Sequence, residues 1–262
     1  MAERVRREPP PFRQAAVARV EELSPRMVQV TVQGADLGGL AGAGPAASIR
    51  VLLPEPGTAE LVVPAWAGNE FLRPDGSRAI IRTLTPKRVD ADAGELDVAV
   101  VVHGDGAASQ WVRAAAAGQP VAVSGPGRGY AIPEDGTAYL LAGDETALPA
   151  IGQLLEALPV GAEVEAHVEL AASEGRIPLP ERAGVTVGWH ELRPGDPPGA
   201  ALVDAVSRAP VDGRTHVWVA GEAASVQRIR RMLFEERGLA RDRATVRGYW
   251  KHGRRAGSGD EA

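Results

Sequence analysis

Ala138-Tyr-Leu-Leu-Ala-Gly-Asp-Glu-Thr-Ala-Leu-Pro-Ala150 is the stretch on which the reading of the fold turns. Tyr139 to Ala142 form an apolar run of strand length that breaks at Gly143. Ile151, Leu154, Leu155 and Leu158 then recur at i, i+3, i+4 and i+7, the core face of a helix. A strand that passes through a glycine into a helix leaves the first helical N–H groups without internal partners, at the positive end of the macrodipole. Such a turn suits a phosphate or a ribose. The G-x-G-x-x-G spacing of dinucleotide sites is absent, so a plain βα connection accounts for the same residues equally well.

Outward from this junction the chain has two textures. From Thr137 onward, strand and helix patterns alternate: strands at Tyr139 to Ala142, Val164 to Leu170, Val185 to Trp189, His216 to Ala220 and Thr245 to Tyr249. Helices fall at Ile151 to Leu158, Leu202 to Val206 and Val226 to Phe234. Alternation of this kind predicts a parallel sheet with helices on both faces. Upstream, the short strands Ala16 to Val20, Met27 to Val32, Ser48 to Leu53, Ile80 to Thr85, Leu96 to Val102 and Val121 to Val123 are punctuated by Gly and Pro. They predict a six-stranded antiparallel barrel with one helix near Ala107 to Ala117. The expected domains are residues 14–130, a β-barrel, and residues 137–255, an α/β domain, joined through Gly127 to Gly136.

Composition bounds the chemistry. The chain has 262 residues, 44% hydrophobic and 24% charged, which excludes disorder and leaves room for two domains. No apolar run reaches the ~20 residues of a membrane span, and the Arg-rich start leads into Pro9-Pro-Pro-Phe12 rather than an apolar signal core, so the expectation is a cytoplasmic protein without membrane insertion. With no Cys, thiol catalysis and Cys-ligated iron–sulfur clusters are excluded, and the five His lack metal-ligand spacing, so no protein-bound metal is expected. Electron transfer would then need an organic cofactor. The net charge of −5 argues against nucleic acid, although Arg241 to Arg255 is locally basic, either as a solvated tail or as a face for an anionic ligand.

Two barrel segments bear on a cofactor. Arg82-Thr-Leu-Thr85 closes a strand, where a guanidinium either clamps a pyrophosphate through paired N–H bonds or joins a surface ion pair. His103-Gly-Asp-Gly-Ala-Ala-Ser-Gln-Trp111 leads from a strand through two glycines into the barrel's helix, a second anion-receptive start; His103 equally well caps a core strand.

Together with Val123-Ser-Gly-Pro-Gly127, Leu141-Ala-Gly-Asp-Glu-Thr-Ala-Leu-Pro-Ala-Ile151, Val217-Trp-Val-Ala-Gly-Glu-Ala223 and Gly248-Tyr-Trp-Lys-His-Gly253, these segments resemble, in order, the siderophore-interacting protein family. These are FAD-dependent ferric-siderophore reductases of the ferredoxin-reductase-like superfamily. The resemblance implies an FAD-binding barrel, an NAD(P)H-binding domain with NADPH or NADH as donor, and a ferric siderophore as substrate, its iron leaving as Fe(II). It implies that Arg82 holds the FAD pyrophosphate, that Thr83, Leu84 and Thr85 line the isoalloxazine, and that His103, Gly104, Gly106, Ala107 and Ala108 present helix N–H groups to the phosphates. Gly143, Asp144, Thr146, Gly221, Glu222 and Ala223 would shape the nicotinamide site, and Tyr249 and Trp250 would bind the cofactor in a final turn that comes back over the flavin, or pack in the core. Arg50, Lys251 and Arg254 would attract an anionic siderophore. Leu84 stands where the family usually has Tyr, and no catalytic side chain is required because the chemistry belongs to FAD. Glu169 and Glu174 would meet a ribose hydroxyl, or Arg176 a 2′-phosphate. Other outcomes of the same layout are a flavin oxidoreductase acting on free flavin, a quinone or a protein carrier, and a protein that binds siderophore without turnover.

Overall fold

The computed structural model describes residues 8–58 and 60–253, which form two units. The first takes residues 8–23 and 27–129, the second residues 24–26 and 130–253.

The first unit contains β1 (Arg13–Ser24), β2 (Met27–Gln33), β3 (Ile49–Leu52), β4 (Ala65–Trp66), β5 (Phe71–Leu72), β6 (Ile81–Leu84), β7 (Pro86–Asp90), β8 (Glu95–Val101), α1 (Ala107–Ala114) and β9 (Pro120–Ser124). Seven strands make one sheet in the order β6-β3-β9-β1-β2-β8-β7. Its two end strands are consecutive in the chain, separated only by Thr85, so the sheet is a curled half-barrel whose edge strands both come from the segment Ile81 to Asp90. Six chain segments therefore build the barrel. The extra strand β7 escaped the sequence reading because Pro-Lys-Arg-Val-Asp shows no apolar alternation. Pro86 has no N–H to donate, and the β7–β8 ladder slips register between Pro86 and Arg88. The small β4–β5 hairpin was also not anticipated; Phe71 there meets Phe12 and Trp66 edge-on, with ring centroids 5.2 and 4.9 Å apart.

Alternation along the strands sets the barrel core. Leu96, Val98 and Val100 of β8 pack with Val30, Val51, Val121, Val123 and Trp111. Asp97, between Leu96 and Val98, accepts from Thr31 Oγ1 (2.5 Å) and Arg88 Nε (3.0 Å), while Arg19 pairs with Glu95 through two bonds of 2.8 and 2.9 Å. The polar side of β8 is thereby satisfied without entering the core.

The second unit contains β10 (Ala138–Asp144), α2 (Leu148–Ala157), β11 (Glu163–Leu170), β12 (Val185–Glu191), α3 (Ala200–Arg208), β13 (Thr215–Glu222), α4 (Ala223–Arg231) and β14 (Ala244–Trp250). All five strands are parallel, in the order β12-β11-β10-β13-β14. The order reverses between β10 and β13, the point at which doubly wound sheets open a crevice beyond the carboxyl ends of their strands. Leu140 and Ala142 of β10 bury against Leu202 and Val206 of α3 and Val226 and Ile229 of α4. The opposite side of β10 meets α2 closely: a Cβ on Gly143 would lie 2.4 Å from Ala147 Cβ and 3.5 Å from Ile151 Cδ1. That glycine is a packing requirement.

Candidate functional site

The positions singled out in the sequence fall into two groups, one in each unit. In the first, the loop from His103 to Gly106 is held to α1 by its carbonyl groups. Ser109 Oγ donates to the His103 carbonyl (2.8 Å) and accepts from the His103 N–H (3.0 Å). Gln110 Nε2 donates to the Asp105 carbonyl, and Arg113 Nη1 to that of Gly104, both at 2.9 Å. Gly104 sits at φ +50, where glycine is strain-free. With the carbonyls turned to the helix's side chains, the N–H groups of Ala107 and Ala108 are left at its start. The N-cap, Gly106, has no side chain to accept from them, and a Cβ on Gly104 or Gly106 would meet nothing within 4 Å. Open space in front of unspent donors at the positive end of a helix fits a phosphate.

Beside it in sequence, β3 pairs with β6 so that Arg50 lies opposite Thr83 and Val51 opposite Arg82. Arg50 also opposes Ser124 of β9 and is half-buried. Arg82 Nη1 donates to the carbonyl of Ile81 at 2.7 Å, so its guanidinium lies along its own strand. Thr83 is exposed and Leu84 packs in part against the barrel core. Thr85, at the break between β6 and β7, is only 7% exposed.

The second group gathers at the carboxyl ends of β10, β13 and β14. Its centre is Asp144, whose Oδ1 accepts from Thr146 N (2.9 Å) and Thr146 Oγ1 (2.5 Å), and whose Oδ2 accepts from Glu222 N (2.9 Å) and Trp250 Nε1 (2.7 Å). Burial pushes its pKa up against the pull of these four donors. Three of the donors are N–H groups that can only donate, so both oxygens of Asp144 are engaged as acceptors. Gly221 is tied to the same group: a Cβ there would lie 2.7 Å from Asp144 Oδ2. Glu222 caps α4, its Oε2 accepting from Ser225 N (2.9 Å) and its Oε1 from His252 N (3.2 Å). Burial raises the Glu222 pKa, but these donors outweigh it and hold the group below its ordinary value. Tyr249 meets buried Trp218 edge-on at 6.3 Å, Ala223 opens α4, and Lys251 is exposed. Arg254 lies outside the described residues.

Three features here were not legible in sequence. Glu169 of β11, 3% exposed, accepts from Gly199 N (2.6 Å) and Leu202 N (2.9 Å) at the start of α3, and burial raises its pKa. It is turned to a helix of its own unit and not toward a ribose. Glu145 holds Arg26 through two bonds of 2.7 and 2.9 Å and also accepts from Ala171 N. Arg176 lies over the ring of Trp189, 5.6 Å from its centroid. Only the Asp144–Thr146 and Glu222–Ser225 spacings carried a local signal, that of capping side chains near helix starts. Among the described residues no group of three or more His, Asp or Glu side chains is placed to hold a metal ion, and no helix is long and apolar enough to cross a membrane.

A curled antiparallel half-barrel carrying an open helix start, followed in the chain by a doubly wound parallel sheet, defines the ferredoxin-reductase-like fold. Within it, residues 16–130 match the siderophore-interacting FAD-binding domain and residues 136–253 match the siderophore-interacting protein family. The chain belongs to that family. A siderophore utilization protein from T. fusca superposes with a TM-score of 0.82 at 35% identity, covering 95% of this chain and 96% of the other. The siderophore-interacting protein SipS from Aeromonas hydrophila gives 0.75 at 28% identity, over 94% and 93%. Ferric vibriobactin reductase ViuB of Vibrio cholerae is 28% identical over 240 residues, 90% of this chain and 88% of that protein.

Proposed function

We propose that this protein is an FAD-dependent ferric-siderophore reductase that releases iron as Fe(II). The observation that carries the reading is the start of α1, where Ala107 and Ala108 keep their N–H groups uncapped beyond a loop latched by Ser109, Gln110 and Arg113. That cradle lies within the part of the chain that matches the FAD-binding domain. FAD would supply the conversion between a two-electron donor and a one-electron acceptor, which no side chain of this cysteine-free protein can perform. The chain's own part is to bind and orient. The α1 N–H groups and Arg82 would hold the pyrophosphate, Arg82 leaving the Ile81 carbonyl to do so. Leu84 would offer an aliphatic surface without a hydrogen bond, and Thr83, being exposed, a hydroxyl. Arg50, Lys251 and Arg254 would draw anionic ferric chelates by charge. For Arg50 the support is its half-exposed position beside Thr83.

The test is anaerobic. Purified holoprotein, its flavin reduced with dithionite and freed of excess, is mixed with a ferric tris-catecholate or a ferric hydroxamate while flavin absorbance and a ferrous chromophore are followed. Flavin reoxidation with two Fe(II) formed per flavin is expected. Reduced flavin that none of these chelates reoxidises would refute the reading and leave the siderophore-binding or other-acceptor alternatives.

A further inference from the structure

In a doubly wound sheet the helix starts at the switch point normally supply N–H groups and positive dipole to a dinucleotide's pyrophosphate. Here the protein's own carboxylates take those donors. Asp144 accepts from Thr146 N just after β10, Glu222 from Ser225 N in the first turn of α4, and Glu169 from Gly199 N and Leu202 N at the start of α3, while Asp144 also takes Glu222 N at the end of β13. The helical segments after β10, β11–β12 and β13 thus each begin against a carboxyl group of the chain itself. The glycines are committed as well: Gly143 lets Ala147 and Ile151 approach β10, and Gly221 makes room for the Asp144 carboxylate itself. At this end of the sheet Gly143, Asp144, Thr146, Gly221 and Glu222 each have an internal partner. A pyrophosphate placed there would find carboxylates where it needs donors, in contrast to the uncapped start of α1.

We propose that the α/β unit does not recognise the pyrophosphate of a nicotinamide dinucleotide at the carboxyl ends of β10 and β13, and that it selects a dihydronicotinamide donor by its ring and not by its phosphates. This rests on the reductase reading above and specifies its electron donor. NADH and NADPH then serve as carriers of a reactive ring, with little advantage over a donor that has no phosphate. The buried carboxyl groups act against phosphate by occupying the donors; the interaction is not recovered by side-chain rotation, because the acceptors of Asp144 and Glu169 are themselves locked by paired N–H groups.

Two measurements on the FAD-loaded full chain decide it. Calorimetric titration with ADP-ribose and with 2′,5′-ADP, which carry the phosphates without the nicotinamide, should show no saturable binding up to several millimolar. Anaerobic stopped-flow reduction of the bound flavin should be run with NADH, NADPH and the phosphate-free N-benzyl-1,4-dihydronicotinamide, each rate divided by that donor's rate with free FAD. The three normalised rates should agree within about tenfold and rise linearly with donor concentration. Micromolar binding of either adenosine fragment would overturn the proposal, as would a normalised advantage of a hundredfold or more for NADH or NADPH. Reduction by none of the three, with dithionite-reduced protein still passing electrons to ferric chelate, would overturn this proposal and leave the reductase reading standing. Failure of the chelate to reoxidise the flavin would fall on the reductase reading alone, since the titration does not depend on the acceptor.

Discussion

Replacing Asp144 tests the carboxylate hub of the second unit, and alanine and asparagine should give different answers. Asp144→Ala removes the acceptor for Thr146 N, Glu222 N and Trp250 Nε1 together. A buried donor left without a partner costs about 1–3 kcal/mol; with the half-buried indole partly rescued by water, the sum is roughly 3–6 kcal/mol. Asp144→Asn keeps one acceptor. Its oxygen can serve Glu222 N and Trp250 Nε1 if the amide nitrogen faces Thr146, whose hydroxyl can rotate to accept while its N–H cannot. One orphaned backbone donor then remains, about 1–3 kcal/mol, together with weaker neutral bonds in place of charge-assisted ones. Relief of the buried charge offsets part of this, so asparagine should be milder by about 2 kcal/mol or more. Urea unfolding, followed by circular dichroism and by tryptophan fluorescence, reads both midpoints at unchanged slope. Equal destabilisation by the two variants, or an alanine cost below about 1 kcal/mol, would refute the hub as the element that ties β10, β13 and β14 together.

Three further outcomes are expected. Ser109→Ala unlatches the His103 loop by removing two bonds at a side chain 2% exposed, and should weaken FAD binding by about five- to thirtyfold, roughly 1–2 kcal/mol, with a smaller change in apoprotein stability; fluorescence titration of FAD checks it. Arg50→Ala with Lys251→Ala should lower the reduction rate of anionic ferric chelates several-fold and leave neutral ones near parental, the difference shrinking with added salt; equal losses for both would place these residues in packing. Burial holds His190 and His216 below the ordinary histidine value, and the Arg243 guanidinium, 2.8 Å from His216 Nε2, adds to the effect there. The unfolded chain therefore takes up protons first, so stability is full above about pH 6.5 and falls as the pH drops from there through the folded-state values. A pH series of melting temperatures should show that decline, and His190→Asn with His216→Asn should flatten it.

The amino-acid order by itself carried the architecture, because the two periods are local. The short run Leu96 to Val102 marked a barrel strand, and the spacing of Ile151, Leu154 and Leu155 marked α2, each readable within a few residues. The glycine loop before α1 was equally local, since its latch runs from His103 to Ser109, Gln110 and Arg113. β7 was lost because its pairing with β8, not its composition, makes it a strand. The capping of Thr146 N by Asp144 and of Ser225 N by Glu222 is local, and tertiary structure adds the distant partners of these carboxyl groups and the whole cap that Glu169 gives α3. Glu222 N lies 78 residues from Asp144, Trp250 106 residues from it, and Gly199 30 residues from Glu169. Sequence spacing holds no record of these distant partners. The open terminus at α1 and the occupied one after β10 differ locally, because Gly106 has no side chain to cap its helix and Asp144 has one; which remote donors then lock Asp144 is decided by the order of the strands in the sheet.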